Sequence, residues 1–190
     1  MDRLELLALA RQEFARRLAT VAPAQLVTQT NCDDWTVHDL IRHVIVGDHM
    51  AVALLGGASR DDTMALATST VLGDDLIAEF ERAADAVAAA FVAGGTLEQI
   101  VHHPAMDIPA STLIQFRTGD YTLHAWDLAR SIGGDTVLDE HLVSAIWETL
   151  SPMADFIATT GRFGSGPSGA VADTADLQSR LLDLSGRRLS

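Results

Sequence analysis

The sequence predicts an all-α protein, helices packed on helices. Aromatic residues make up only 5% of the chain, while alanine and leucine abound. That balance favours helices over a sheet. Apolar residues recur at three- and four-residue steps through long stretches, the spacing that builds one buried stripe on a helix. Glycine and proline stand where such stretches would end.

The elements follow in order. Residues 2–21 form an amphipathic helix, with Leu4, Leu7, Phe14, Leu18 and Val21 on one side and Pro23 closing it. A loop runs from Gln25 to Trp35. Thr36-Val-His-Asp39 then opens a second helix, with Thr36 as N-cap and Asp39 placed to bond back to the cap. It runs to about Leu55, before Gly56-Gly57. Its apolar positions are Val37, Leu40, Ile41, Val44 and Ile45, so His43 falls beside the buried stripe.

A third helix spans about 74–93, with Leu76, Ile77, Phe80, Ala84, Val87 and Phe91 inward and Gly94-Gly95 as its stop. Residues 96–109 read as irregular, with room for a short extended stretch. A fourth helix spans about 110–132, with Ser111 as its expected cap and Gly133-Gly134 as its end. A fifth, about 138–160, carries Leu142, Ile146, Leu150, Met153 and Ile157, and Pro152 should kink it. A Gly/Ser/Pro segment, 161–169, leads to a short last helix at 175–185. The connections 56–73 and 94–110 are long, which permits a bundle that is not simply up-down-up-down. The chain reads as a single domain, 1–190, with a core at 2–160 and a C-terminal extension at 161–190.

Bulk properties narrow the function. At 190 residues the chain can bury a real core. Its formal net charge is −13, with 13 Lys+Arg and no basic cluster, so no nucleic-acid partner is expected. No apolar run approaches the ~20 residues of a membrane helix. The start, Met-Asp-Arg-Leu-Glu, lacks the long apolar stretch of a signal peptide. One cysteine, Cys32, precludes an internal disulfide and agrees with a reducing cytoplasm.

Chemistry concentrates at Asp120 and His124. Residues four apart on a helix share a face, here about 6 Å apart along the axis at ~1.5 Å per residue. A carboxylate and an imidazole aimed at one point make two-thirds of a site for Zn²⁺, Ni²⁺, Mn²⁺ or Fe²⁺. On spacing alone, a helix pair in which the aspartate accepts a hydrogen bond from the histidine is the commoner arrangement. A third ligand must come from another helix, and His43 is the best candidate, although a lone histidine there is more often a buried side chain with its own partner. Asp127 returns to nearly the same face, where it can accept a hydrogen bond from behind the ligands or substitute for one, but pairing with Arg130 or capping a neighbouring element is the commoner role. His38 and His49 read as surface residues, and His102-His103 as part of a solvated loop. Cys32 has no His/Cys partner at metal spacing in the sequence. There is no Gly-rich phosphate loop, no G-x-S-x-G elbow and no H-E-x-x-H.

Two segments carry a family resemblance. Thr30-Asn-Cys-Asp-Asp-Trp-Thr-Val-His-Asp-Leu-Ile-Arg-His43 matches a pattern Cys-x-x-Trp-Thr-Val-x-Asp-Leu-x-x-His. Asp120-Tyr-Thr-Leu-His-Ala-Trp-Asp-Leu-Ala-Arg-Ser-Ile-Gly133 matches Glu/Asp-x-x-x-His-x-Trp-Asp-Leu-Ala-x-x-x-Gly. Together they resemble the mycothiol-dependent maleylpyruvate isomerase N-terminal type of the DinB/YfiT-like superfamily, and Arg180-Leu-Leu-Asp-Leu-Ser-Gly-Arg187 resembles that family's ending. The resemblance covers nearly the whole chain. It implies a DinB-like four-helix bundle with long crossover connections and a short C-terminal helical extension. It also implies a divalent metal, zinc or nickel, on His43, Asp120 and His124. The related isomerase has glutamate where this chain has Asp120, one methylene shorter. Some members carry a further C-terminal domain, which this chain is expected to lack.

The activity implied is a metal-dependent thiol transferase or isomerase, using mycothiol or another low-molecular-weight thiol on a small electrophile. A metal- or small-molecule-binding helical protein without catalysis is the alternative. A regulator with an N-terminal helix-turn-helix is disfavoured, because no basic recognition helix follows a short turn in the first 55 residues. A homodimer is compatible with this reading.

Overall fold

The computed structural model describes residues 1–32, 34–93, 96–160 and 166–189. Four helices form the bundle: α1 (Arg3–Leu18), α2 (Val37–Leu55), α4 (Leu76–Val92) and α5 (Ala110–Ile132). A short α3 (Arg60–Ser69) lies between α2 and α4. A two-stranded antiparallel hairpin, β1 (Ile100–His102) and β2 (Asp107–Pro109), precedes α5. After α5 come α6 (Glu140–Leu150), α7 (Ala154–Thr160) and α8 (Leu177–Leu184).

The main contacts run α1 to α5 and α4, and α2 to α4 and α5. So α1 and α2 sit on one diagonal of the bundle, and α4 and α5 on the other. The two diagonal links, before α2 and before α5, are the true crossovers. The core is apolar where the four helices meet: Phe14 from α1, Ile41 and Ile45 from α2, Phe80 from α4 and Ile114 from α5 are fully buried. Each such side chain contributes about 1.5–3 kcal/mol relative to staying exposed. Phe14 and Phe80 lie with ring centroids 5.0 Å apart, and Tyr121 meets Phe80 edge-on at 5.8 Å. That aromatic centre ties α1, α4 and α5 together.

The caps explain where the helices start. Asp2 and Glu5 form a capping box on α1, and Thr36 and Asp39 form the expected one on α2. Asp75 caps α4. Gly133 closes α5 with φ 72°, a left-handed turn that a Cβ would strain.

Four expectations are corrected. The connection 56–73 holds helix α3, begun by a Ser59/Asp62 capping box and fastened to α2 where Arg42 donates to the carbonyls of Ala67 and Thr70. It joins two neighbouring helices, so it is not a crossover. The expected helix 138–160 is broken, not merely kinked: α6 ends at Leu150, Ser151–Met153 form a single 3-10 turn, and α7 follows. Pro152 has no N–H to continue the ladder. Ser111 caps nothing. Helix α5 starts directly after Pro109, whose extended backbone leads into it, and the Ala110 N–H donates to the Gln99 carbonyl. The last helix begins at Leu177, behind its cap Asp176, rather than at 175. The Gly94-Gly95 stop and residues 161–165 of the Gly/Ser/Pro segment lie outside the described residues. Among the described residues, no helix is long and apolar enough to cross a membrane.

Candidate metal centre

Two helices supply the candidate ligands. The loop before α2 folds back on itself: the Thr30 N–H and hydroxyl both donate to the Trp35 carbonyl, and Val37 N–H donates to Thr28. This places Trp35 against His43, ring centroids 4.7 Å apart. His43 lies two turns into α2. Across from it, α5 presents Asp120, His124 and Asp127.

The structure brings the three expected residues together. His43 Nε2 lies 3.6 Å from Asp120 Oδ2, and His124 Nε2 lies 3.8 Å from Asp120 Oδ1. One donor atom from each residue can be chosen so that all three lie within 4.8 Å of one another. Ligands at about 2.1 Å in a tetrahedral shell sit about 3.4 Å apart. Small side-chain adjustments therefore close the cluster on one ion, and nitrogen with oxygen is a donor set that Zn²⁺ and Ni²⁺ accept. His43 and Asp120 are 39% and 35% exposed, so a fourth ligand from solvent can reach the cluster. His124 is nearly buried.

Asp127 fixes His124. The carboxylate is fully buried, and its Oδ2 lies 2.9 Å from His124 Nδ1. With the proton held on Nδ1, the Nε2 lone pair faces Asp120 and His43. Burial, aided by the neighbouring His43, outweighs the pull of Asp127 and Asp120 and lowers the His124 pKa, which favours the neutral ring that a ligand must be. The expected Asp127–Arg130 pair does not form. Arg130 lies over the Trp126 ring, and Asp127 instead accepts two bonds from Arg187 and one from Asn31. Burial pushes the Asp127 carboxyl up, but Arg187 and His124 outweigh that and hold it well below the usual range.

Asp120 is held from its other side. Arg117 Nη1 donates to Asp120 Oδ2 at 2.5 Å, while its Nε donates to Asp48 and its Nη2 to the Val44 carbonyl. Tyr121 donates its hydroxyl to the same Asp48 carboxylate. Burial raises the Asp120 pKa, but His43 and Arg117 outweigh it, so the group stays ionised. Gly47 makes this possible: a Cβ there would collide with the Arg117 guanidinium.

Arg117, Asp48 and Gly47 were not singled out from sequence, and Arg187 only as the end of a family-like stretch. The Asp48–Arg117 and Asp127–Arg187 pairs lie dozens of residues apart, so no local spacing marks them, whereas Arg117 stands three residues before Asp120, a helical spacing that could have drawn attention to it. Cys32 is a further correction: it has a partner set in space, lying with His124 and Asp127 as a second possible cluster. Burial, then the Asp127 charge, pushes its thiol up to about 12, so in the metal-free protein it stays protonated. His38 and His49 lie partly exposed on α2, off the cluster. His102 pairs with Asp107 across the hairpin, and His103 packs edge-on against Phe116.

An all-α bundle whose α2 and α5 converge a histidine from one helix and an aspartate and a histidine from the other has the build of the DinB-like class. Residues 7–129 match the family described as the mycothiol maleylpyruvate isomerase N-terminal domain. The chain belongs to that family and is a mycothiol-dependent maleylpyruvate isomerase-like protein. It is 34% identical over 168 residues to the uncharacterized proteins Rv0738 and MT0763 of Mycobacterium tuberculosis strains H37Rv and CDC 1551, covering 86% of this chain and 82% of each relative. Its fold matches the crystal structure of the mycothiol-dependent maleylpyruvate isomerase with a TM-score of 0.63 and 22% identity. The match covers 82% of this chain and 68% of that one. A histidine-to-alanine mutant of that isomerase matches with a TM-score of 0.65 at 21% identity, with the same coverage.

Proposed function

We propose that the protein is a divalent-metal-dependent thiol transferase or isomerase, with His43, Asp120 and His124 as its metal ligands and mycothiol or a similar small thiol as co-substrate. The observation that carries this reading is the cluster itself: His43 Nε2 lies 3.6 Å from one Asp120 oxygen and His124 Nε2 lies 3.8 Å from the other, with His43 and Asp120 exposed enough to meet a ligand from solvent. A bound divalent ion supplies one piece of chemistry: it lowers the pKa of a coordinated thiol, so that the thiolate forms near neutral pH.

The chain's own residues do the rest. Asp127 keeps the His124 proton on Nδ1 and the ring neutral. Arg117 pins Asp120 Oδ2, leaving Oδ1 on the His124 side. The Cys32 thiol, pushed up to about 12 by burial and the Asp127 charge, is a weak nucleophile, which favours a reacting sulfur from outside the chain. The Trp35 ring against His43 limits how far that imidazole can swing.

The test is metal analysis of the purified protein, then titration with Zn²⁺ and Ni²⁺, then mycothiol-dependent isomerisation of maleylpyruvate. The expected result is about one ion per chain, thiol-dependent turnover, and loss of both in His124→Ala. A wild-type protein that takes up neither ion overturns the reading. Uptake without turnover by any small thiol leaves a metal-binding protein and removes the catalytic half.

A further inference from the structure

The second arginine pair reaches the cluster from the far end of the chain, and its construction is specific. Helix α8 is N-capped by Asp176, whose carboxylate accepts from Ser179. Its apolar side, Leu181, Leu182 and Leu184, is buried, and it packs against α6. Gln178 fastens it to the segment before α6, donating to the Thr136 carbonyl and accepting from the Leu138 N–H. Arg180 lies over the Trp147 ring at 4.5 Å.

The helix then ends in a double-bonded turn. Gly186 has φ 80°. Its N–H donates to the Asp183 carbonyl, and the Arg187 N–H donates to Leu182. These are the two bonds of a Schellman motif, and the positive φ reverses the chain direction. The reversal aims Arg187 into the bundle. There Nε and Nη2 grip both Asp127 oxygens, while Nη1 donates back to the Ser185 carbonyl. The fork is bidentate, so it fixes the plane of the carboxylate as well as its charge. One of the gripped oxygens is the one that faces His124 Nδ1.

The geometry points to the α8 turn as a latch: docking of Arg187 onto Asp127 positions His124, and metal loading and latch docking stabilise each other. The metal half of this rests on the reading proposed above. The docked turn holds Asp127, Asp127 holds the His124 tautomer, and the tautomer aims Nε2 at Asp120 and His43. Undocking leaves Asp127 buried with Asn31, His124 and Cys32 as its remaining partners, none of which grips both oxygens. Arg187 touches no candidate ligand and is a positioning residue. Coupling between two events is reciprocal, so an ion at the cluster tightens the latch by the factor by which the latch tightens the ion.

Three measurements on the full chain test this. In wild-type protein, hydrogen exchange of amides 177–188 is followed without and with Zn²⁺, and slower exchange with Zn²⁺ is expected. In Arg187→Ala, Zn²⁺ affinity is expected to fall about 10- to 100-fold, the usual scale for losing a partner behind a metal-bound histidine. The visible spectrum of the Co²⁺-loaded variant should shift, and Arg187→Lys should recover only part of both, since lysine restores the charge without the fork. In metal-free protein, the ¹⁵N shifts of His124 should report a proton on Nδ1 in wild type and a mixture in Arg187→Ala.

The ¹⁵N measurement needs no metal, so it judges the latch even if wild type binds no ion and the metal reading falls. Unchanged His124 shifts in a folded Arg187→Ala overturn the latch. If that variant does not fold, the wild-type exchange decides, and identical exchange with and without bound Zn²⁺ overturns the coupling.

Discussion

The protein buries two arginine–carboxylate pairs beside the same cluster, and they are built differently. Asp48–Arg117 joins two bundle helices, α2 and α5, and Tyr121 completes it from within the core. Asp127–Arg187 joins the bundle to the C-terminal turn behind α8. Both carboxylates are fully buried. Their charge balance differs. Burial raises the Asp48 carboxyl, and Arg117 with Tyr121 counters only part of that, while Arg187 and His124 hold Asp127 well below the usual range. Of the two carboxylates, Asp48 is the one whose burial is incompletely offset, and Asp127 the one whose partners outweigh its burial. The first pair lies behind Asp120 and the second behind His124.

The largest expected effect separates the two arginines. Arg117→Met leaves Asp48 buried without a cation and unable to move, since α2 and α5 are both core helices. Breaking a buried pair this way costs about 3–5 kcal/mol. Arg187→Met leaves Asp127 in the same position chemically, but the tail can lift and admit water, so its cost should be smaller, about 1–3 kcal/mol. Urea denaturation of both variants measures this. Equal losses would erase the distinction between a core pair and a latched one.

A middle-sized effect sharpens the bundle side alone. Gly47→Ala gains about 1 kcal/mol of helix propensity. The added methyl meets the Arg117 guanidinium, which Asp48, Asp120 and the Val44 carbonyl hold in place. Overpacking of this kind costs about 1–3 kcal/mol, so a net loss is expected. It should bring weaker Zn²⁺ binding with it, because Asp120 loses its anchor. A variant more stable than wild type would mean that Arg117 moves aside freely, and that Asp120 needs no anchor.

How much of this was legible in the sequence follows the range of each interaction. Thr36 and Asp39 stand three apart, so the start of α2 could be read directly, and Asp120 and His124 stand four apart on one helix face. Ser59 and Asp62 carry the same capping signal as Thr36 and Asp39. Even so, α3 escaped notice, because Thr63 is its one buried residue and it lacks an apolar stripe. Asp127 was legible as a member of the right face, but its partner was not. Arg130 is three residues on and Arg187 is sixty residues on, and spacing favours the nearer one. Arg130 is drawn instead over Trp126. Gly47 carried no signal, because its importance lies in the absence of a side chain where Arg117 passes.

The smallest expected effect is on the pH dependence of stability in metal-free protein, and there the two carboxylates should act with opposite sign. Asp127 is depressed in the folded state. Its contribution is present above the unfolded carboxyl value of about 3.9 and is lost as pH falls through the lower folded value. Asp48 is raised. The folded protein holds its proton more tightly, so stability declines as pH rises from about 3.9 through the higher folded value. In Asp127→Asn, the acid-side loss of stability should shrink. In Asp48→Asn, the decline on the neutral side of that window should shrink instead, and the maximum should become broader. Thermal melts from pH 2 to pH 7 read both. If the two variants flatten the same limb, the pairs share one electrostatic character, and what distinguishes them is only that one can undock.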